Sequence, residues 1–450
     1  MRARTAGPTG VSGNVALLLG AAFLALALFL LAVRLYVPGG GGETSVIQNA
    51  DPYGTTNGII AFWEQRVRDN PGDFLAYNNL ADGYIRRARE TGDVADYGRA
   101  EAAVTASLGE LAPENNYTAL TLQASLHNVK HDFDAARQTA KRAVVARPND
   151  PFARTILGDA LLALGRYDQA FVAYRELVED APGLASFSRM AHIHELRGEL
   201  DHADVAWQNA LNTDGGRRPE NTAWARVQYG HFLFTQGKLD EADRQYESAL
   251  EALPGYVHAI AGQARLAASH GQFGEAIGLY STVVERQPVL EYVIALGDVY
   301  RADGRNADAQ RQYDLVAVID QLYKANGINT DLESALFLAD HGDPERAVVQ
   351  ATAAYQLQPG SIRAADVLSW ALYKAGRLEE AVTYSEQALR LGTKDALLLF
   401  HAGMINNAAG NDSTARDLLS RAVEMNPAFS VLYSEEAVNT LEALEAAARR

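Results

Sequence analysis

Residues 157–182 read LGDALLALGRYDQAFVAYRELVEDAP, and this stretch decides the fold. Two amphipathic helical patterns lie on either side of a Gly-Arg-Tyr-Asp turn, and Pro182 follows the second. Two helices joined by a short turn approach to about 8–10 Å only where the residues at the crossing are small, as Gly158 and Ala170 are. Tyr174, one turn after Ala170, is expected to fill the space between this hairpin and its neighbour. The stretch therefore predicts a helical hairpin that ends at proline, which disfavours a helical conformation in the residue before it.

The same pattern recurs along the chain with a period near 34 residues. Pro148 and Pro182 are 34 residues apart, and so are Pro254 and Pro288. The turn returns as QGKLDEA, HGQFGEA and AGRLEEA, and its glycine is expected to be a left-handed helix cap. The small residue of the second helix recurs at Ala100, Ala136, Ala170, Ala203, Ala242, Ala276, Ala309, Ala347, Ala381 and Ala415. A fixed period of this length predicts a row of stacked hairpins and not one closed globular core.

The period, the pattern of small, aromatic and proline residues, and the G-x-[LFY]-x-x-A turn resemble tetratricopeptide repeats over residues 72–427. The resemblance implies an all-α, right-handed superhelical α-solenoid of about ten hairpins, whose first helices line an open concave groove. Because terminal units of a solenoid need a polar outer face, residues 57–71 are predicted to be an N-terminal capping half-repeat. Residues 428–450 are predicted to be a C-terminal capping helix.

Residues 15–33, VALLLGAAFLALALFLLAV, contain no polar side chain. As a helix this run is about 28 Å long, close to the thickness of the hydrocarbon core of a bilayer. We therefore expect a transmembrane helix over residues 14–34, with a short tail over 1–13 and a flexible glycine-rich linker over 35–56. A cleaved signal peptide is the alternative, but the residues after the run offer no small-residue cleavage site.

The basic residues around the apolar run predict the orientation of the chain. Arg2 and Arg4 precede the run, and only Arg34 follows it closely. By the positive-inside rule the N-terminus lies in the cytoplasm and the solenoid lies outside. The sequence therefore predicts a single-pass protein of the cell membrane.

Composition excludes several classes of function. Lys and Arg total 40 against 56 Asp and Glu, a net charge of −16, and such a surface repels the phosphate backbone of nucleic acids. The chain has no cysteine, which excludes disulfides, thiolate nucleophiles and cysteine-ligated zinc. It also lacks the GxxxxGK, GxGxxG and GxSxG motifs that mark phosphate-binding loops and nucleophile elbows.

Two pairs of histidines were weighed as metal ligands. His192 and His194 point to different helix faces, and Gly198 stands where a zinc-protease motif needs its second histidine. His127 and His131 are four residues apart, but no third ligand is evident. We therefore expect no metal, no cofactor and no catalytic residues. A catalyst that uses His231, Asp298 and Arg301 is kept as an alternative.

The resemblance implies which side chains face the groove. The inward positions are Asn78, Asp82, Asp159, Ser188, His192, Glu195, Trp224, His231, Phe234, His258, Arg265, Asp298, Arg301, Arg363, Asp366, Trp370, Tyr373, Phe400 and His401. The predicted partner-binding residues among them are Trp224, His231, Phe234, His258, Arg265, Asp298, Arg301, Arg363, Asp366, Trp370 and Tyr373. Trp224 with Phe234, and Trp370 with Tyr373, form aromatic pairs of the kind that dominates interface energetics. The alternative for each tryptophan is packing between repeats.

These patterns predict a scaffold or adaptor that binds protein or peptide partners in its groove and helps assemble protein complexes of the cell envelope. No small-molecule substrate is expected. The alternative is an accessory subunit that delivers substrate to a glycosyltransferase or another envelope enzyme.

Overall fold

The computed structural model describes residues 55–214 and 219–449. The predicted tail and transmembrane helix lie outside these residues, as does the predicted linker apart from its last two residues. Among the described residues, no helix has the length and apolar composition needed to cross a bilayer.

The described residues form 22 α-helices and no strand. In chain order they are α1 (Thr56–Asp69), α2 (Phe74–Thr91), α3 (Ala95–Glu110), α4 (Tyr117–Val129), α5 (Phe133–Ala146), α6 (Pro151–Ala163), α7 (Tyr167–Asp180), α8 (Leu184–Leu196), α9 (Leu200–Asp214), α10 (Pro219–Thr235), α11 (Leu239–Ala252), α12 (Val257–Ser269), α13 (Phe273–Arg286), α14 (Leu290–Ala302), α15 (Asn306–Ala325), α16 (Asp331–His341), α17 (Pro344–Leu357), α18 (Ile362–Lys374), α19 (Leu378–Leu389), α20 (Ala396–Ala408), α21 (Asp412–Met425) and α22 (Ser434–Ala448). Helices α2 to α21 pair as ten successive hairpins, which we number 1 (α2 and α3) to 10 (α20 and α21). Helix α1 packs against α2, and α22 packs against α21.

Aspartates begin several of the helices. Asp150 has an extended backbone, and its side chain accepts a hydrogen bond from the Ala153 N–H at 2.9 Å. Pro151 follows as the first helical residue, where its missing N–H removes no hydrogen bond. The same cap recurs at Asp73, Asp132, Asp343 and Asp395.

Within a hairpin, a tyrosine of the second helix packs on a glycine of the first. A Cβ placed on Gly158 would lie 2.4 Å from the Tyr174 ring, so no larger residue fits there without a shift. The Tyr174 hydroxyl donates to Asp159 at 2.8 Å. Gly230 with Tyr246, and Gly297 with Tyr313, repeat this packing. The small and large positions of the repeat therefore meet inside each of these hairpins, whereas the sequence placed Tyr174 between one hairpin and the next.

The row of hairpins curves so strongly that its later hairpins contact its earlier ones. Hairpins 1 to 6 form a first winding, and hairpins 7 to 10 with α22 form a second winding that contacts the first. The Tyr167 hydroxyl accepts the Ile362 N–H at 3.0 Å, and the Phe234 carbonyl accepts the Asn426 side-chain amide at 2.7 Å. The Lys130 carbonyl accepts the Asn329 N–H at 3.2 Å.

These contacts are regular. The side-chain hydrogen bonds between the windings join residues separated by 192 to 198 positions, which corresponds to six hairpins. In each of them, the turn inside a hairpin of the first winding touches the segment that precedes a helix of the second. The expectation of an open groove is therefore wrong for this part of the molecule, because the second winding lies directly against the first.

Candidate functional site

A cavity of about 790 Å³ lies between the two windings, and we call it the central cavity. The first winding contributes residues of α6, α8 and α10 to its wall. The second winding contributes residues of α16, α18 and α20. These are mostly the first helices of their hairpins, so the predicted groove face has become the lining of a cavity.

Nine of the predicted inward positions line this cavity. They are Asp159, Ser188, His192, Glu195, Trp224, His231, Arg363, Asp366 and His401. Trp224, His231, Arg363 and Asp366 are the four that also belong to the predicted partner-binding set. The sequence analysis did not single out Arg189, Gln228, Glu333, Lys394 or Asp395, which line it as well.

Several charged groups of the wall are satisfied within the protein. Arg189 binds Asp159 through two parallel hydrogen bonds of 2.8 Å. Glu195 accepts the indole N–H of Trp207 at 2.6 Å, and its other oxygen lies 3.4 Å from Nδ1 of His192. Groups held in this way shape the wall and are less available to a partner.

Arg363 and Glu333 differ from these pairs. The Arg363 side chain is 66% exposed, and its guanidinium is 3.9 Å from the Glu333 carboxylate. Oε2 of Glu333 is buried and has no hydrogen-bond partner among the described residues. Because a buried polar atom without a partner is unfavourable, this part of the wall has unused capacity for hydrogen bonds.

The three tryptophans of the solenoid body differ in how their indole N–H groups are used. Trp207 donates to Glu195, and Trp370 donates to Asp340 at 2.7 Å. Trp224 is half-buried and lines the cavity, and no hydrogen-bond acceptor for its N–H is found within residues 55–214 and 219–449. Trp224 therefore combines an apolar ring with an available donor.

Two predicted aromatic anchors are wrong as surface positions. Trp370 is 1% exposed and stacks on His401 with ring centroids 4.1 Å apart. Phe234 is also 1% exposed, with the Arg265 guanidinium 3.9 Å from its ring centroid. Both side chains fill space between helices, which was the alternative for the tryptophans. Tyr373, which stacks on Trp370 at 4.9 Å, does not line the central cavity.

His231 lies on the cavity wall and is held by its own hairpin. Its Nδ1 is 2.9 Å from the Tyr246 hydroxyl. Burial lowers the pKa of His231 to about 3, and the positive charges of Arg265 and His258 act in the same direction. The imidazole is therefore neutral at physiological pH and can contribute a hydrogen bond but not a charge.

The remaining predicted positions lie away from the cavity. His258 contacts the Tyr292 hydroxyl, and Arg301 lies 3.4 Å from His341. Asp298 accepts the Tyr313 hydroxyl at 2.9 Å, and burial raises its pKa. His231 belongs to hairpin 5 and Asp298 with Arg301 to hairpin 7, so the alternative catalytic set is distributed over two hairpins, one on each winding.

Neither His192 with His194 nor His127 with His131 belongs to a cluster of possible metal ligands among the described residues, but a different group of residues does. Nδ1 of His131 lies 2.6 Å from the Asn329 carbonyl, so this residue belongs to a contact between windings. His194, Glu199 and His202 place one ligand atom each within 4.8 Å of one another. The spacing of a protease motif does not indicate this group, because two of its three residues lie beyond the helix that carries His194.

A match to a family model supports the repeat assignment. The family model described as "Tetratricopeptide repeat" matches residues 121–185, 230–291, 261–323 and 367–428. Among solved structures, the human IFIT1 dimer with PPP-AAAA is similar with a TM-score of 0.45 and 14% identity, covering 81% of this chain and 94% of that one. Yeast Tom70 is similar with a TM-score of 0.34 and 13% identity, covering 84% and 96%.

Two curated relatives match part of their own length. The cytochrome c-type biogenesis protein CycH of Rhizobium meliloti (strain 1021) is 29% identical over 184 residues, 40% of this chain and 47% of the relative. The cellulose synthase operon protein C of Komagataeibacter xylinus is 22% identical over 328 residues, 68% of this chain and 23% of the relative. The chain thus spans less than half the length of either. With the period, the hairpins and the family model in agreement, the chain contains tetratricopeptide repeats within residues 121–185, 230–323 and 367–428.

Proposed function

We propose that the chain is a membrane-tethered scaffold that holds a segment of a partner protein in the central cavity. Tetratricopeptide repeats bind protein partners, and the scaffold role agrees with that general property. The observation that carries the proposal is the presence of Trp224 and Arg363 on the wall of one cavity. Tryptophan and arginine are the residue types that contribute most to binding energy at protein interfaces.

The cavity selects the form of the partner. Its volume of about 790 Å³ falls in the range of ligand pockets and is too small for a folded domain. It admits a short extended segment whose backbone carbonyl can accept the indole N–H of Trp224. A carboxylate of the segment would bind Arg363, which can form two parallel hydrogen bonds to it. The role is equilibrium binding without turnover, and we expect neither nucleic acid nor a small-molecule substrate.

The membrane tether is part of the proposal. Residues 14–34 would form the single span, with the N-terminus in the cytoplasm and the solenoid outside the cell membrane. Confinement near the membrane raises the effective concentration of the scaffold for partners held there. A C-terminal reporter that is active in only one compartment tests the orientation, and activity on the cytoplasmic side would contradict it.

Assembly of envelope protein complexes is the process we propose. The similarity to a cytochrome c-type biogenesis protein supports it. The similarity to a cellulose synthase operon protein covers 68% of this chain and favours the alternative, an accessory subunit of a glycosyltransferase. Purification of the full chain from its native membranes separates the two, because a transferase present in equal amount supports the accessory role, and other envelope proteins support the scaffold.

Photo-cross-linking tests the site itself. A photo-reactive residue at position 224 should capture a discrete partner in cells that express the chain natively. The same residue at Val349 is the control, because Val349 is 69% exposed and does not line the cavity. Capture at 224 should fall when Arg363 is changed to alanine. The proposal is wrong if position 224 captures nothing, or if both positions capture the same proteins.

A further inference from the structure

We propose that His194, Glu199 and His202 form a binding site for a divalent transition metal ion of the zinc type. The three residues lie at the turn inside hairpin 4. His194 is near the end of α8, Glu199 directly precedes α9, and His202 lies in the first turn of α9. Their ligand atoms are within 4.8 Å of one another.

The spacing suits tetrahedral coordination. Zinc bonds of about 2.0–2.1 Å place neighbouring ligand atoms roughly 3.3 Å apart. Nδ1 of His194 is now 2.5 Å from Oε2 of Glu199, and the largest separation in the group is below 4.8 Å. Every ligand atom of the group is therefore within about 1.5 Å of the spacing that tetrahedral zinc requires, a difference that rotations about side-chain bonds can close.

Glu199 is already oriented for this role. Its Oε1 is 3.3 Å from the Arg197 guanidinium, and its Oε2 faces His194. A metal ion would take Oε2, while Arg197 would remain on the other oxygen and fix the carboxylate plane. Partners of this kind, one step removed from the metal, orient ligands and tune affinity. Phe171 similarly fixes the His194 ring, with ring centroids 5.6 Å apart.

The ligand types select the metal. Two imidazoles and one carboxylate with an open fourth position are a ligand set of zinc, whereas Mg²⁺ and Ca²⁺ prefer oxygen ligands alone. His202 is exposed, so the ion has a path from solvent. The positive charge of Arg197 opposes the ion, and we therefore expect a dissociation constant of about 1 μM and not the far tighter binding of closed structural sites.

The site lies beside a contact between the windings. The Leu196 carbonyl accepts the Thr393 hydroxyl at 2.5 Å, and a Cβ on Gly198 would lie 2.2 Å from the Gly392 carbonyl oxygen. A metal ion that joins α8 to α9 would stiffen the hairpin turn that makes this contact. We therefore expect zinc to raise the melting temperature as well as to bind.

The test is calorimetric titration of the chelator-treated full chain with ZnCl₂. One ion per chain should bind, and His202→Ala should weaken binding at least about tenfold. Glu199→Gln should weaken it as well while keeping the shape of the side chain. His270→Ala is the matched control, because His270 is an exposed histidine beside the turn glycine of hairpin 6 and should leave the affinity unchanged.

Cobalt gives a second readout that does not depend on heat. Bound Co²⁺ should show the visible absorption of a tetrahedral site in the unaltered chain and lose it in His202→Ala. Far-ultraviolet circular dichroism confirms that the variants are folded. Equal zinc affinity in the unaltered chain and His202→Ala, or no binding at 100-fold above the expected dissociation constant, would overturn the proposal.

Discussion

Replacing Gly165 with alanine should loosen the two windings where hairpin 3 meets the start of hairpin 9. Gly165 has φ +71°, and a Cβ on it would lie 1.8 Å from the carbonyl carbon and oxygen of Gly360. It would also lie 2.4 Å from the Ser361 backbone nitrogen. These neighbours are backbone atoms that cannot rotate away, so the two segments must separate by more than 1 Å.

The magnitude has two parts. A left-handed conformation costs alanine about 1–2 kcal/mol at any turn of this kind. At Gly165 the steric overlap with Gly360 adds about 1–3 kcal/mol of destabilisation, as overpacking does in protein cores. The windings can relieve the overlap by moving apart, but they then lose the hydrogen bond between Tyr167 and Ile362. Gly271→Ala isolates the first part, because Gly271 has φ +73° and no neighbouring atom within 4 Å of a Cβ.

Hydrogen exchange at the Ile362 amide measures the contribution of the overlap between the windings. Ile362 is the first residue of α18, so its N–H has no acceptor within the helix, and the Tyr167 hydroxyl is its partner. An added 1–3 kcal/mol of opening corresponds to about 5- to 150-fold faster exchange. Mass spectrometry of the peptide that contains residues 360–364 would detect this change.

The comparison between the two glycine variants is decisive. Gly165→Ala should accelerate exchange at residues 360–364, and Gly271→Ala should not. If exchange there is unchanged in Gly165→Ala, or changes equally in both variants, the windings do not touch in solution and the central cavity is not enclosed as described.

Four further substitutions test the remaining structure. Trp370→Ala should lower the free energy of unfolding by about 3–5 kcal/mol, whereas Trp224→Ala should lower it by about 1 kcal/mol and reduce partner capture at least tenfold, as measured by denaturant titration and pull-down. Burial lowers the pKa of His231 to about 3 in the folded protein, whereas an unfolded histidine has a pKa near 6.5. The unfolded chain therefore binds more protons, and the stability of the fold decreases as the pH falls below about 6.5. His231→Asn should therefore show a smaller drop in melting temperature between pH 7 and pH 5. Asn426→Ala removes one of the two donors to the buried Phe234 carbonyl, which keeps the Gly237 N–H at 2.9 Å, and should destabilise the protein by about 0.5–1.5 kcal/mol in the same denaturant assay.

The sequence was most informative where the relevant contacts are local. Gly158 and Tyr174 are 16 residues apart, and their contact depends only on two helices and the turn between them. The same reasoning correctly predicted the left-handed glycines of the turns, including Gly165 and Gly237. Partner binding by the predicted residues stays a prediction, because no contact within the chain tests it.

The site was less predictable because exposure depends on distant elements. Trp224 and Trp370 both lie in first helices, and nothing in the sequence predicts exposure for one and burial for the other. Trp370 is covered because Asp340 accepts its N–H and the Tyr433 ring packs at 5.7 Å, and Tyr433 lies in the segment just before α22. The hydrogen bonds of the tyrosine hydroxyls could have been predicted from the sequence. Asp159, His231 and Asp298 are each followed 15 positions later by the tyrosine whose hydroxyl contacts them.

By itself the sequence determined the repeat, the helical hairpins and their order. Each of these follows from residues less than one repeat period apart. Only the tertiary structure decided that the second winding rests on the first, because this depends on the small rotation between neighbouring hairpins summed over six repeats. That sum brings together residues 192 to 198 positions apart, turns the groove into a cavity between the windings and leaves Trp224 on the cavity wall while Trp370 is buried.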